Sequence, residues 1–103
     1  MSWLVEFRPE VRSDVNQAAT WYESKEPGLG SDFIEEIIKT WDELSELPLI
    51  GTKRHPTLDL RWRYPARFPY RVIYIVDEAA RTILVIAVLH AARHDAGWKK
   101  RIF

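Results

Sequence analysis

The sequence contains no cysteine, and this absence excludes several classes of protein at once. Disulfide scaffolds, zinc ribbons, iron–sulfur proteins and thiol enzymes all depend on cysteine side chains. The longest stretch without a charged residue or proline, Thr82 to Ala92, has 11 residues, about half of the ~20 that cross a bilayer. The N-terminal residues lack the basic start and apolar run of a signal peptide. We therefore expect a cytoplasmic protein that makes no use of a membrane.

Familiar catalytic and cofactor-binding motifs are also missing. Gly28-Leu29-Gly30 lacks the third glycine of a dinucleotide-binding loop and does not follow a predicted strand. All five serines lie within the first 45 residues, and none has the context of a nucleophile elbow. The acidic residues of the first half concentrate on the polar faces of predicted helices, which does not favour a glycosidase carboxylate pair. We expect no cofactor.

A metal site would have to draw on His55, His90, His94 and Asp95. His90 and His94 are four residues apart, but no HExxH helix surrounds them, and the segment directly follows a predicted strand. The interpretation we favour is that these histidines lie at the surface or support other residues, with no metal bound.

The composition is that of one folded domain. The chain has 103 residues, of which 47% are hydrophobic and 13% aromatic, enough to fill a single core. The sequence shows no repeat, linker or low-complexity tract, so we assign residues 1–103 to one domain.

The net charge of zero conceals two oppositely charged halves. Residues 1–50 carry 4 basic and 11 acidic side chains, whereas residues 51–103 carry 11 basic and 4 acidic ones. The balances are therefore −7 and +7. This asymmetry indicates either that the basic half meets an anionic partner or that arginines simply solvate one face of a sheet.

Hydrophobic periodicity predicts a helical first half and a stranded second half. Apolar residues at helical spacing predict helices over residues 9–25 and about 28–47, joined by a Pro-Gly corner. A short strand over residues 3–7 precedes them. Alternation over residues 58–64 predicts a strand with one buried face, formed by Leu58, Leu60, Trp62 and Tyr64, and one charged face, formed by Asp59, Arg61 and Arg63.

Two further strands, over residues 70–76 and 82–89, are apolar nearly throughout, so we expect them to be central and buried on both faces. The resulting order is β-α-α-β-β-β. The fold class is α+β, with a helical hairpin packed on a small, mainly antiparallel sheet.

Arginine and lysine dominate the chemistry of the second half. Guanidinium groups bind phosphates in a bidentate manner and aromatic rings stack on bases, so cations mixed with aromatics suit RNA or, equally, an acidic protein. We expect Trp62 and Tyr74 to pack in the core, whereas Trp98 lies among charges beyond the last strand, where packing is less compelling. The candidate binding residues are Arg63, Arg67, Arg93, Trp98, Lys99 and Lys100.

Two motifs resemble the RelE/ParE toxin superfamily. The run from Trp62 to Tyr74, which contains Phe-Pro-Tyr-Arg at residues 68–71, is similar to the central hairpin of that superfamily. The segment from Ala87 to Arg93, followed by Trp98-Lys99-Lys100-Arg101, is similar to its closing strand and C-terminal tail. The resemblance covers essentially the whole chain. It implies a growth-inhibiting toxin of a bacterial type II toxin–antitoxin pair, as in plasmid stabilisation systems, neutralised by a cognate antitoxin.

The superfamily contains two mechanisms, and the resemblance to RelE implies the first. RelE-like members cleave mRNA on the ribosome without a metal. Arg71 matches the strand arginine used there, and because it opens a central strand we expect its side chain at the rim of the sheet. The candidates for the further catalytic cations of this mechanism are Arg61, Arg63, Lys53 and Arg93. Trp98 stands where RelE has a tyrosine, and an indole cannot transfer a proton, so His90 or His94 would have to do so.

The resemblance to ParE implies the second mechanism. ParE-like members poison DNA gyrase and are not enzymes. The Phe-Pro-Tyr-Arg run and Trp98 favour this branch slightly, so DNA gyrase is the target we expect, with the ribosome and its mRNA as the alternative. A basic module that binds without toxicity is a third possibility.

Overall fold

The computed structural model describes residues 2–93 and 95–102. Its elements are, in chain order, β1 (Leu4–Phe7), α1 (Glu10–Lys25), α2 (Leu29–Glu46), β2 (Leu60–Arg63), β3 (Tyr70–Asp77), β4 (Thr82–His90) and α3 (Ala96–Lys99). The predicted β-α-α-β-β-β order is confirmed, and the two long helices begin and end within one residue of the predicted bounds. The short helix α3 was not expected. Among the described residues, no helix is long and apolar enough to cross a membrane.

The four strands form one sheet in the order β1-β4-β3-β2. β2 pairs with β3, and β3 with β4, in antiparallel fashion. β1 lies parallel to β4, with Leu4 opposite Thr82 and Phe7 opposite Val85. The sheet is therefore mainly antiparallel, as predicted, and its two central strands are β3 and β4.

The helical hairpin depends on a close approach between α1 and α2. A Cβ added to Gly30 would lie 2.6 Å from the carbonyl oxygen of Ala19, so any larger residue would push the helices apart. The Glu23 carboxylate accepts hydrogen bonds from the backbone N–H groups of Gly28 and Gly30, each at 3.0 Å. These two bonds satisfy donors that the first turn of α2 would otherwise leave free.

Only part of the apolar stripe of α2 is buried. Phe33, Ile37 and Leu44 are completely buried between α1 and the sheet. Ile34 and Ile38 are 37% and 47% exposed, because the apolar arc is wider than the surface that α1 and the sheet can cover. The apolar stripe of α2 is therefore wider than the part of the helix surface that packs into the core.

Both faces of the central strands are buried, as predicted, and different partners cover them. The helical hairpin covers the face that carries Val72, Tyr74 and Val85. On the opposite face, the tail after β4 folds back, and Trp98 packs in a cluster with Ile73. Chain beyond the last strand thus covers this second face of the sheet, with Trp98 as its buried residue.

Candidate functional site

Arg71, the second residue of β3, is buried beneath the tail. Its side chain is 6% exposed. One terminal nitrogen, Nη1, donates to Asp95 Oδ1 at 2.9 Å, and Nη2 donates to the carbonyl oxygen of Arg93 at 3.0 Å. The guanidinium carbon also lies 5.0 Å from the centre of the Trp62 ring. The guanidinium is therefore not free at the rim of the sheet, which corrects the sequence-based expectation.

Trp98 belongs to the core. It is 2% exposed, its ring meets that of Trp62 edge-on at 6.1 Å, and its Nε1 donates to Asp95 Oδ1 at 3.2 Å. The interpretation that placed it outside the core is wrong, because the turn of α3 folds this indole back onto the sheet. Lys99 and Lys100 beside it are exposed. A binding role for residues 98–100 stays a prediction. Lys99 and Lys100 are the two of these side chains that a partner could contact, because they are exposed.

Asp95 joins Arg71 and Trp98 through a single carboxylate oxygen. The hydrogen bond from Arg71 is the largest cause, and that from Trp98 the second, of a pKa below its usual value of 3.8. The carboxylate is therefore charged at neutral pH and holds the tail against β3. Sequence analysis considered Asp95 only as a possible metal ligand and missed its contacts with Arg71 and Trp98, although one signal was present: Asp95 is the only acidic residue after Glu78, in an otherwise basic stretch.

Arg61 and Arg63 of β2 turn toward the loop at residues 47–51 instead of toward solvent. Arg61 is only 8% exposed, and its Nε donates to Asp59 Oδ1 at 2.7 Å. Both arginines also donate to backbone carbonyls of the 47–51 loop. Tyr64, expected on the buried face, is 55% exposed. The predicted buried face is confirmed for Leu58, Leu60 and Trp62, which pack in one cluster, and is wrong for Tyr64. The opposite face carries the arginines as predicted, but backbone carbonyls of the loop cover it.

His90 and Arg93 lie together in a cleft of about 520 Å³ between α1 and the meeting ends of β3 and β4. Trp21, Tyr22 and Tyr70 also line it. Arg61 and Arg71 are not among the described residues that line this cleft. His90 and Arg93 therefore share the cleft, Arg71 contacts Arg93 only through its backbone carbonyl and does not line the cleft, and Arg61 lies apart at the 47–51 loop.

The cleft offers little acid–base chemistry beyond one imidazole. The His90 Nδ1 accepts a hydrogen bond from the Ala92 N–H at 3.0 Å, so in the neutral ring the proton lies on Nε2. The His90 ring also meets the Tyr70 ring edge-on at 5.3 Å. Burial is the largest cause of a raised pKa at Tyr70 and the cause of a raised pKa at Tyr22. Both phenols therefore stay protonated at neutral pH.

Arg67 is another candidate cation, and it lies apart from the cleft. Its side chain is 57% exposed and lies 3.8 Å from the Asp32 carboxylate of α2. The predicted candidate cations that reach solvent are thus Lys53, Arg67, Arg93, Lys99 and Lys100. His94, named above for proton transfer or metal binding, lies outside the described residues. The described residues contain no group of three or more His, Asp or Glu side chains that could hold a metal ion.

A family model describing the ParE toxin of type II toxin–antitoxin systems, parDE, matches residues 5–95. The chain belongs to this family. No curated protein matches this ParE-family chain. The match runs from Val5 in β1 to Asp95, so it includes the hairpin motif on which the resemblance was based.

Solved structures share the fold of this ParE-family toxin. The chromosomal ParDE toxin–antitoxin system of P. aeruginosa has a chain with a TM-score of 0.71 at 14% identity, covering 86% of this chain and 96% of that one. A mutant E. coli toxin RelE in the free state gives 0.73 at 22% identity over 100% of both chains. The RelBE2 toxin–antitoxin complex of Mycobacterium tuberculosis gives 0.59 at 22% identity, covering 87% and 99%. ParE-type and RelE-type structures are similar to this chain to nearly the same degree.

Proposed function

We propose that this ParE-family toxin stops growth by binding DNA gyrase and does not cleave RNA. The proposal rests mainly on one observation: the side chain of Arg71 is buried and already bound within the protein. The arginine that a RelE-like reaction would need is buried, and both of its terminal nitrogens already donate to Asp95 and to the Arg93 carbonyl. A cation stabilises a developing phosphate charge only when its donors point at that charge.

Three other residues that a nuclease mechanism could use are also unsuited to catalysis in this structure. Arg61 is paired with Asp59 and donates to loop carbonyls. Trp98 is an N–H donor only and is buried. Tyr70, with its raised pKa, keeps its proton at neutral pH and is a poor general base. A protein that acts by docking needs none of these groups to be free.

The partner that neutralises the toxin is, in this proposal, a cognate antitoxin. Membership of the ParE toxin family and the fold shared with structures titled ParDE and RelBE2 toxin–antitoxin systems support it. We expect the antitoxin segment that meets residues 51–103 to be acidic, because that half carries the +7 balance.

The test compares two activities of the purified toxin. We expect it to inhibit DNA supercoiling by gyrase and to leave mRNA on translating ribosomes intact. His90→Gln provides the sharpest variant, because the exposed ring can be changed without disturbing the core. Inhibition of gyrase should change by less than about twofold in this variant. Ribosome-dependent cleavage by the wild-type protein would overturn the proposal.

One observation favours the alternative hypothesis, an RNase. His90 and Arg93 share the aromatic-lined cleft, and an RNase needs an acid–base group and a phosphate-binding cation side by side. If that cleft is catalytic, His90→Gln should lower mRNA cleavage by roughly 10²-fold or more. If neither gyrase nor mRNA is affected by the wild type, the binding module without toxicity is the better account.

A further inference from the structure

A second cleft, of about 470 Å³, opens where β1, α1 and α2 meet, and we call it the β1–α1–α2 cleft. Phe7 and Trp41 form one wall, and their rings meet edge-on with centres 4.6 Å apart. Val11 and Val15 of α1, both buried, line it as well. Phe7 is nevertheless 45% exposed, so the apolar wall is open to solvent. The cleft thus has the size and the apolar lining of a site for a small ligand.

Two arginines line the β1–α1–α2 cleft, and neither is part of an ion pair. Arg8 follows β1, and Arg12 is the third residue of α1. Among the described residues, carboxylates pair with other arginines, such as Arg71 and Arg101, but with neither of these two. No acidic side chain is among the described residues that line the cleft. Two unpaired positive charges therefore lie beside an apolar surface.

Two hydrogen-bond donors at the cleft are buried and unused. Arg8 Nε and Trp41 Nε1 have no hydrogen-bond partner among the described residues. Buried N–H groups of folded proteins are nearly always paired, because an unpaired group loses the hydrogen bond that it made with water. Both donors belong to partly buried side chains that line the same cleft. A ligand that brings an acceptor oxygen to this point would satisfy them.

The neighbouring acidic side chains do not neutralise the cleft. Glu6 alternates with Phe7 along β1 and lines a separate pocket. The pKa of Arg101 is raised chiefly by its hydrogen bond with Asp14 and also by the charge of Glu10, so Glu10 lies toward the tail. Asp42 of α2 is exposed and does not line the cleft. Even with Asp42 counted, the two arginines leave the cleft positively charged.

These features together select the chemistry of the ligand. Guanidinium groups and N–H donors bind a carboxylate, and apolar walls bind a hydrocarbon body. Asn16 is the only described lining residue whose side chain has an acceptor oxygen. An amine, an amino acid or the donor edge of a nucleobase would therefore leave its own donors unpaired. Inorganic phosphate would use the charges but would leave the apolar walls unfilled.

We propose that the β1–α1–α2 cleft binds a small monocarboxylic acid with an apolar body. The carboxylate meets Arg8 and Arg12, and the hydrocarbon part lies against Phe7 and Trp41. The cleft shares no lining residue with the one between α1 and the meeting ends of β3 and β4. This inference goes beyond the proposed function and does not depend on the target of the toxin.

The experiment titrates the isotopically labelled full chain with isocaproate and follows the Trp41 Nε1–H resonance by NMR. Trp41→Phe assigns that resonance. Isocaproate contains no ring, so ring currents of the ligand do not move the signal. Four further ligands separate its parts. Isocaproamide lacks the charge, acetate lacks the apolar body, inorganic phosphate tests for any anion, and N-acetylleucine presents both groups as the last residue of a peptide does.

Two variants test the charge of the cleft. Arg12→Glu reverses one of its two cations, and Lys39→Glu is the matched control. Arg12 and Lys39 are both exposed on helices, and Lys39 does not line the cleft. The thermal midpoint of each variant shows whether it folds as the wild type does.

We expect isocaproate to bind with a Kd of about 1 mM or tighter, a reasonable affinity for so few non-hydrogen atoms. The Trp41 Nε1–H resonance should move to lower field, because the indole gains an acceptor. Isocaproamide, acetate, phosphate and N-acetylleucine should bind about tenfold more weakly or less. Arg12→Glu should weaken isocaproate binding by about tenfold and leave isocaproamide binding nearly unchanged. Lys39→Glu should bind as the wild type does.

Several results would overturn the inference. They are the absence of a saturable shift, equal affinity for isocaproate and isocaproamide, and an equal loss in Lys39→Glu. N-acetylleucine that binds as tightly as isocaproate would assign the cleft to the end of a protein chain, and phosphate that does so would show that the arginines attract any anion. Either result removes the proposed ligand. If Arg12→Glu does not fold, the comparison of isocaproate with isocaproamide on the wild type decides.

Discussion

Arg101 in the tail forms a bidentate ion pair with Asp14 of α1. Nη1 lies 2.6 Å from Oδ2 and Nη2 lies 3.0 Å from Oδ1. The same Asp14 oxygen, Oδ2, accepts the Val88 N–H at 3.0 Å, and Arg101 Nη1 also donates to the Ile86 carbonyl at 3.1 Å. The hydrogen bond with Asp14 is the largest cause of a raised pKa at Arg101. Helix, strand and tail are therefore joined at one point.

Arg101→Ala should lower the free energy of unfolding by about 3–5 kcal/mol, because it leaves the buried Asp14 carboxylate without its counter-charge. The Asp14 side chain is 7% exposed, so water cannot replace the arginine fully. Chemical denaturation monitored by tryptophan fluorescence measures the change. Lys100→Ala, at an exposed neighbouring position, is the control and should stay within about 0.5 kcal/mol of wild type. Equal stabilities for the two variants would show that the ion pair contributes nothing.

Trp41→Ala should lower the free energy of unfolding by about 2–3 kcal/mol, less than for a fully buried tryptophan. Trp41 is partly buried at the margin of the core, and its ring meets Phe7 edge-on at 4.6 Å. Trp21→Ala is the control, since Trp21 is 55% exposed. Thermal unfolding of both variants provides the comparison. An equal loss of stability in Trp21→Ala and Trp41→Ala would show that the burial of the tryptophan does not determine how much stability is lost.

Asp95 should make stability depend on acid. Its pKa is lowered in the folded state by Arg71 and Trp98, so its contribution is fully present above the usual value of 3.8 and is lost as pH falls through the lower, folded value. The thermal midpoints of wild type and Asp95→Asn should therefore differ near neutral pH and converge once the pH falls below the lowered, folded-state pKa of Asp95. A difference that stays constant across the range would contradict this account.

The association of toxin and antitoxin should slow by roughly tenfold or more between low and high salt if charge steers the encounter. The basic half, with its +7 balance, provides the attraction. Stopped-flow fluorescence at several ionic strengths gives the rate. Lys99→Glu, which reverses an exposed charge, should reduce the salt dependence of the association rate. An association rate of the wild type that does not change with salt would show that charge does not steer the encounter.

Local patterns in the sequence were sufficient to predict every element except the short helix α3. The helical period of Val11, Val15 and Phe33, and the proline and glycine between the helices, predicted α1 and α2 to within a residue. The near-continuous apolar runs predicted β3 and β4 as central strands. Each of these signals depends on neighbours within a few positions, which is the distance over which periodicity carries information.

The candidate site was less predictable, because its contacts join distant parts of the chain. Arg71 and Asp95 are 24 positions apart, and Arg101 and Asp14 are 87 apart. The burial of Arg61 depends on backbone carbonyls, which every residue possesses and which therefore leave no mark in the side-chain pattern. The resemblance to known toxins predicted a catalytic role for Arg71, but the contacts around it follow only from the folded tail.

The parallel pairing of β1 with β4 has a consequence for synthesis of the chain. Leu4 pairs with Thr82, so the first strand has no partner in the sheet until the last strand has left the ribosome. Translation proceeds at ~5–20 residues per second, and long-range strand pairing is slow to form. A nascent chain that ends before β4 should remain sensitive to protease. A toxin of this topology is therefore inert throughout most of the translation of this domain, and its harmful form arises only once β4 has emerged and paired with β1.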